Sequence, residues 1–288
     1  MKSICFFSSY FNQPIIPYYI RFYLDNLSPF FTKIIFITNQ KVLHTDDYSY
    51  LEKNNIELLY VVNEGWDFGM WYKALKLYDV KNYDRVGLIN DSCILLEKPT
   101  HFFNWLEKSE DDYCGMVDSN AISYHIQSYF VIINKRAIAE VYNYFMQNGL
   151  IINIKNVIYT YEIGLSSYLL NKGYKLGACY STNDYKGEYS PTFLMALSLI
   201  KKGFPLIKKK IIFTSYRKDE YLTLIRMKFK LNPKYYINFI KENRNKIDII
   251  DFDKLEVNYN LNFYLKLSLY KIAFTVYQII REFKIKRT

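Results

Sequence analysis

Two aspartates stand just past apolar runs that read as buried strands, and their surroundings set what they could do. Asp67 lies in Asn63-Glu64-Gly65-Trp66-Asp67-Phe68-Gly69, after the run Ile56–Val62. Gly65 and Gly69 permit close backbone approach. The helix that opens there offers unpaired N–H groups to a phosphate, or to an acceptor on a base or ribose. Asp67 would accept from a ribose hydroxyl or a base N–H, with Asn63 beside it; the plainer reading is a helix cap. Asn90-Asp91-Ser92 follows Val86-Gly87-Leu88-Ile89 directly. A carboxylate at such a strand end suits a hard divalent cation, Mg²⁺ or Mn²⁺, that in turn holds a diphosphate. The plainer reading is a turn, since Asn, Asp and Ser all form turns.

Two further segments carry reactive side chains. Asp118-Ser119-Asn120 and, after a gap, His125-Ile126-Gln127-Ser128 form a polar stretch between two strands, placed to meet a phosphate or an acceptor. His125 has the chemistry of a proton shuttle or phosphate ligand, set against a structural role in the interior. Glu162-Ile163-Gly164-Leu165-Ser166 puts a carboxylate early in a helix, either for the favourable dipole there or as a general base.

These residues need a scaffold that brings strand ends together. Strands are predicted over Ile4–Ser9, Lys33–Thr38, Ile56–Val62 and Arg85–Ile89, alternating with helices over Pro14–Leu27, Asp46–Asn54 and Asp67–Tyr78. That rhythm argues for βαβ units and a mainly parallel sheet covered on both faces, a Rossmann-type α/β fold in which ligands bind beyond the carboxyl ends of the strands. Helices follow over Thr100–Lys108, Lys135–Gln147, Tyr161–Asn171 and Pro191–Lys202, with strands over Tyr113–Val117, Tyr129–Asn134 and Tyr174–Cys179. From Lys208 the chain reads as helical and basic. A boundary near Gly203 divides residues 1–203, a catalytic domain, from a basic helical appendage over 204–288.

The 288 residues are half hydrophobic, enough for a sizeable core and too apolar for wholesale disorder. Charge separates the two regions. Residues 1–200 hold 17 Lys+Arg and 20 Asp+Glu, whereas 201–288 hold 21 and 8. A confined basic region implies an anionic partner, and the acidic balance of the rest argues against nucleic acid. Within the basic region, Asn262–Lys284 places Leu265, Leu269, Ile272, Val276 and Ile280 on one helical face and Lys266, Lys271, Arg281 and Lys284 away from it. Such a helix either closes a core or lies on an anionic bilayer. No apolar run is long enough to span a membrane, Met1–Cys5 enters a strand rather than a cleavable leader, and Cys5, Cys93, Cys114 and Cys179 are too scattered for a metal or disulfide framework. The expected place is the cytoplasm, peripheral to the inner face of the plasma membrane. A non-enzymatic nucleotide- or membrane-surface-binding protein is the alternative to an enzyme.

In order along the chain, N-x-G-W-D-F-G, L-I-N-D-S-C, D-S-N followed by H-I-Q-S-Y-F, S-P-T-F and G-F-P-L-I-K-K resemble the rhamnan synthesis protein F type of bacterial glycosyltransferase, over roughly residues 1–210. More distantly, E-x-G-L-S-x-x-L-x-x-x-G-Y at Glu162–Tyr174 is similar to the helix that carries the catalytic base in family 2-like GT-A transferases. Ile163 stands where that pattern has a second acid, and Asn90-Asp91-Ser92 keeps one aspartate of the usual D-x-D metal motif. The resemblance implies a GT-A fold and sugar transfer from a nucleotide-sugar such as dTDP-rhamnose. The acceptor would be a cell-surface polysaccharide or a lipid-linked oligosaccharide. It also implies Glu162 as base in an inverting reaction, with Asp91 and a cation, or lysines and arginines of the basic third, serving the leaving diphosphate.

Overall fold

The computed structural model describes residues 1–182, 191–209 and 211. All lie in the first of two compact units, Met1–Lys246 and Ile247–Thr288. The first half alternates strand and helix as β1 (Ser3–Ser9), α1 (Tyr18–Leu27), β2 (Lys33–Thr38), α2 (Thr45–Lys53), β3 (Ile56–Tyr60), α3 (Trp66–Leu75) and β4 (Arg85–Asn90). Then come β5 (Cys93–Leu95), α4 (Thr100–Leu106), β6 (Tyr113–Gly115), β7 (Asp118–Ser119), β8 (His125–Ile126), β9 (Phe130–Asn134) and α5 (Lys135–Asn148). The described chain closes with α6 (Ile154–Val157), α7 (Leu165–Asn171), β10 (Leu176–Ala178), α8 (Pro191–Leu194), α9 (Ala196–Lys201) and β11 (Leu206–Lys208).

Seven strands form one sheet in the order β10-β6-β9-β4-β1-β2-β3. All neighbours are parallel except β9, which runs antiparallel to both β4 and β6. The period of two along each strand sorts its residues between two cores. Ile4 and Phe6 of β1, Ile35 and Ile37 of β2, Val86 and Leu88 of β4, and Val131 and Ile133 of β9 all join α3, α5 and α7 in one cluster. Trp71 of α3 is buried there with its indole N–H donated to the Phe6 carbonyl at 3.2 Å. The alternate residues face the other way. Phe7 meets Tyr23 of α1 edge-on at 5.0 Å between centroids, and Phe130 meets Phe102 of α4 in the same manner at 5.0 Å. Edge-on pairs of this kind add about 0.5–1.5 kcal/mol each beyond the area they bury. The result is a mostly parallel sheet flanked by helices, as the alternating pattern implied.

Several elements depart from expectation for identifiable reasons. The helix expected from Pro14 begins at Tyr18, because Pro17 holds ψ at 144° and a residue before proline is pushed out of the helical region. The helix expected over Tyr161–Asn171 is preceded by a wide π-type turn, Ile158–Gly164, which leads into α7. The helix expected over Pro191–Lys202 is interrupted at Met195. Strand β11 stands at the entry to the segment expected to be helical from Lys208, antiparallel to β5 with Ile207 opposite Ile94 and Lys208 opposite Cys93, and Lys209 and Ile211 after it are helical. Phe204, Leu206 and Ile207 are buried, so the chain just past Gly203 packs onto the residues that follow Asp91.

Among the described residues no helix is long and apolar enough to cross a membrane. The amphipathic stretch Asn262–Lys284 and the rest of the basic region beyond residue 211 lie outside the described residues.

Candidate active site

The strand order reverses at β1: β2 and β3 extend the sheet on one side and β4 lies on the other. In open α/β sheets the crevice at such a reversal, past the carboxyl ends of the strands, is where ligands bind. The residues at that place here are Ser8 and Ser9 from β1 and Asn90 and Asp91 from the end of β4, with Ser8 level with Asn90 in the register. All four are buried polar side chains, which calls for hydrogen-bond partners.

Those partners tie the two aspartates into one cluster. Asp67 accepts from the Ser8 hydroxyl at 3.0 Å on one oxygen and from the Asn90 amide at 2.8 Å on the other. It is in the first turn of α3 but does not cap it: the N-cap is Gly65, with no side-chain cap bond. Asp91 receives three donors on Oδ2: Ser9 Oγ at 2.8 Å, the Tyr19 phenol at 2.9 Å and Lys209 Nζ at 2.7 Å. The turn after β4 is closed by Asn90 instead, whose Oδ1 accepts from the Ser92 N–H at 3.0 Å. The Asp67 carboxyl titrates at about 7, up from 3.8, because burial and then the nearby Asp91 charge penalise its ionised form. The Ser8 hydrogen bond and the charges of Lys209 and Lys208 pull it partly back. Near neutrality Asp67 is therefore able to donate as well as accept.

The loop that delivers Asp67 depends on its two glycines. Gly65 sits at φ +74°, and a Cβ there would stand 2.5 Å from the Ile151 carbonyl oxygen. At Gly69 a Cβ would overlap the Glu64 carbonyl oxygen. Trp66 also has a positive φ, +54°, a conformation that strains a bulky residue, and its indole is 45% exposed beside the cluster. Asn63 is exposed on the same loop.

The second group lies on β7 and β8, which pair with each other over two residues. Asp118 accepts from Thr182 N at 2.5 Å, Thr182 Oγ1 at 2.9 Å and Ser181 Oγ at 2.9 Å, and so anchors the chain that follows β10. Ser119 Oγ accepts from the Ala121 N–H at 3.2 Å. His125 is buried with Nδ1 donating to the Ser123 carbonyl at 2.8 Å, which leaves Nε2 to accept from the Gln127 amide at 3.1 Å. Thr192 Oγ1 then bridges Gln127 Oε1 at 3.4 Å and the Tyr129 phenol at 3.2 Å. Ser128 is partly exposed.

Tyr129 links the two groups. Its carbonyl accepts from Asn90 N at 3.1 Å, and its ring lies 5.1 Å beneath Lys208 Nζ. Burial drives its phenol well above its ordinary range, and the carboxylates of Glu162 and Asp118 add to the effect. Glu162 thus lies within electrostatic reach of this junction, on the wide turn Ile158–Gly164. The turn leads into α7, whose Ser166 Oγ accepts from the Ile126 N–H of β8 at 3.2 Å. Unusual helical turns of this kind concentrate at functional sites because they aim a side chain that a regular helix would place elsewhere.

Ser8, Ser9, Tyr19, Tyr129 and Thr192 belong to this network without having been singled out from the sequence. The serines carried a usable signal, since a polar pair ends the apolar strand Ile4–Phe7 just as Asn90 and Asp91 end β4. Tyr19 arrives from a distant segment and had none, whereas Thr192 and Lys209 stood within the motifs S-P-T-F and G-F-P-L-I-K-K.

The donor set at Asp91 does not suit a divalent cation. Mg²⁺ and Mn²⁺ seek several oxygen ligands. Among the described residues no group of three His, Cys, Asp or Glu side chains is arranged to hold a metal ion, and Asp91 Oδ2 already holds the Lys209 ammonium.

Fold and site together define an α/β domain with a mostly parallel sheet and a polar cluster at its strand reversal. The chain belongs to the rhamnan synthesis protein F family, whose model matches residues 34–275. It is similar to virulence protein VirA of Vibrio anguillarum at 27% identity, over 52% of this chain and 60% of that protein, so the chain spans about 60% of the length of this curated relative. Among solved structures it is similar to a cytidylyltransferase from Leptospira borgpetersenii, with 11% identity, 90% of this chain and 100% of that one covered, and a TM-score of 0.41. It is also similar to glucosyl-3-phosphoglycerate synthase from Mycobacterium tuberculosis, at 11% identity over 51% and 64% of the two chains with a TM-score of 0.34.

Proposed function

We propose that this chain is a glycosyltransferase that moves a sugar, rhamnose being the first candidate, from a nucleotide-sugar to a cell-surface polysaccharide or lipid-linked oligosaccharide. The observation that carries this reading is the Asp67–Ser8–Asn90 and Asp91–Ser9–Tyr19–Lys209 cluster at the strand reversal, in a chain of the rhamnan synthesis protein F family. Asp67, on a loop with Asn63, Gly65 and Gly69, would bind the nucleoside through its base or ribose. Asn90, Asp91 and Ser92 would border the diphosphate. The β7–β8 segment, with Asp118, Ser119, His125, Gln127 and Ser128, would form the acceptor side.

Transfer with inversion needs one proton taken and one charge stabilised. A base removes the proton from the acceptor hydroxyl as its oxygen bonds to the anomeric carbon. The bond from that carbon to the diphosphate breaks on the opposite side, and the electron pair leaves with the phosphate oxygen. Glu162 is the proposed base. No hydrogen bond or ion pair engages its carboxylate among the described residues, and its charge reaches Tyr129 beside the cluster. Glu162→Gln keeps the shape and removes proton acceptance, so turnover should fall by ~10²–10⁴-fold while nucleoside diphosphates still raise the melting temperature. Near-normal turnover in that variant would eliminate Glu162.

The acceptor is proposed to reach the enzyme at the inner face of the plasma membrane, with the basic residues beyond 201 drawn to anionic lipid.

A further inference from the structure

We propose that the Lys209 ammonium is the resident counter-cation for the donor diphosphate, so that nucleoside diphosphates bind this chain without a divalent metal. The inference rests on the transferase reading and specifies its chemistry. A leaving diphosphate must be met by positive charge, which comes either from a metal ion held by one or two carboxylates and the phosphates or from the protein's own cations. Here the protein's own ammonium groups already stand at the carboxylate. Asp91 is paired with Lys209 at 2.7 Å, and Lys208 adds a second ammonium whose charge is felt, with that of Lys209, at Asp67.

Position matters as much as charge. Lys209 does not dangle from a surface helix. Its backbone N–H donates to the Ser92 carbonyl at 3.1 Å, which extends the β5–β11 ladder and fixes the residue one position past Asp91 on the facing strand. The side chain then crosses the Tyr19 ring, with Nζ 4.5 Å from its centroid, and donates to the Tyr19 phenol at 2.7 Å. An ammonium has three donors. Two are used on Asp91 and Tyr19, and the side chain remains 20% exposed, so the third can meet a phosphate oxygen without loss of the first two. Lys208 approaches the same junction across the Tyr129 ring. A divalent ion placed on Asp91 Oδ2 would displace Lys209 from its one carboxylate partner among the described residues and would stand against the charge of both lysines.

The test measures binding rather than turnover, on the full chain. Calorimetric titrations with dTDP and dTMP, and in parallel UDP with UMP and GDP with GMP, are run in EDTA and again with Mg²⁺ or Mn²⁺. In EDTA one diphosphate should bind at least about tenfold more tightly than its monophosphate, the gain expected of a charge-assisted contact, and added metal should change this by less than about twofold. Lys209→Met should reduce the diphosphate to the affinity of the monophosphate, and Lys209→Arg should retain most of the preference. Diphosphate binding that appears only with metal would overturn the inference, as would an unchanged preference in a folded Lys209→Met protein. The EDTA titration of the unsubstituted chain decides the matter even if that variant does not fold. Binding of no nucleotide under any condition would overturn the transferase reading itself, and this inference with it.

Discussion

Asp91 is buried and Asp67 half-buried beside it, and their surroundings differ. Asp91 has an ammonium and two hydroxyls on one oxygen. Among the described residues Asp67 has a hydroxyl and an amide as partners, and burial with the Asp91 charge moves its carboxyl up to about 7. The sign of the resulting pH dependence follows from linkage. The native carboxyl keeps its proton up to about 7, whereas the unfolded one loses it near 3.8. The contribution of Asp67 to stability is therefore complete below pH 4 and is lost as pH rises toward 7, with a ceiling of roughly 4 kcal/mol. Urea midpoints of Asp67→Asn measured against pH should show a flatter profile than the unsubstituted chain between pH 4 and 7; parallel profiles would contradict the assignment. Asp91→Ala should destabilise by about 3 kcal/mol, the low end for breaking a buried pair because Lys209 keeps some solvent. Asp91→Ala combined with Lys209→Met should recover part of that loss, and a double-mutant cycle reads the coupling directly. Additive effects would show that the pair is not formed.

At the scale of elements, the site exists because two turns hold unusual backbone. Gly65→Ala must accept φ near +74° and press a methyl against the Ile151 carbonyl. The expected cost is about 1–3 kcal/mol in melting experiments, with a larger loss of nucleotide affinity because Asp67 moves with the loop. A variant with full affinity would separate the loop from the site. This loop with Asp67, and the strand end that carries Asp91, were legible in the sequence because apolar runs of strand length stop abruptly at polar residues. The wide turn under Glu162 was not. Periodicity marks Tyr161–Asn171 as apolar on one face, and that pattern does not report whether a turn holds three, four or five residues per hydrogen bond. Strand β9 was readable as a strand but its antiparallel direction was not, since side-chain alternation is the same in both directions. The β5–β11 ladder escaped notice because each strand is three residues long and the partners lie more than a hundred residues apart.

At the scale of the whole molecule, the charge asymmetry gives the chain a direction. The 21 basic and 8 acidic residues after position 200 should draw it to anionic vesicles at low salt, with release as salt screens the attraction. Co-sedimentation with phosphatidylglycerol vesicles at low and high ionic strength measures this, and an absence of binding at low salt would remove the membrane from the account. The central claim is narrower: the cluster at the strand reversal binds a nucleotide-sugar and releases its sugar. The most direct measurement is incubation of the full chain with a panel of nucleotide-sugars, dTDP-rhamnose included, with liquid chromatography–mass spectrometry of the products. The account expects one donor to lose its sugar, slowly to water and faster with an oligosaccharide acceptor, and Asp91→Asn to abolish both. Release of sugar from no donor, or undiminished release by folded Asp91→Asn, would contradict it.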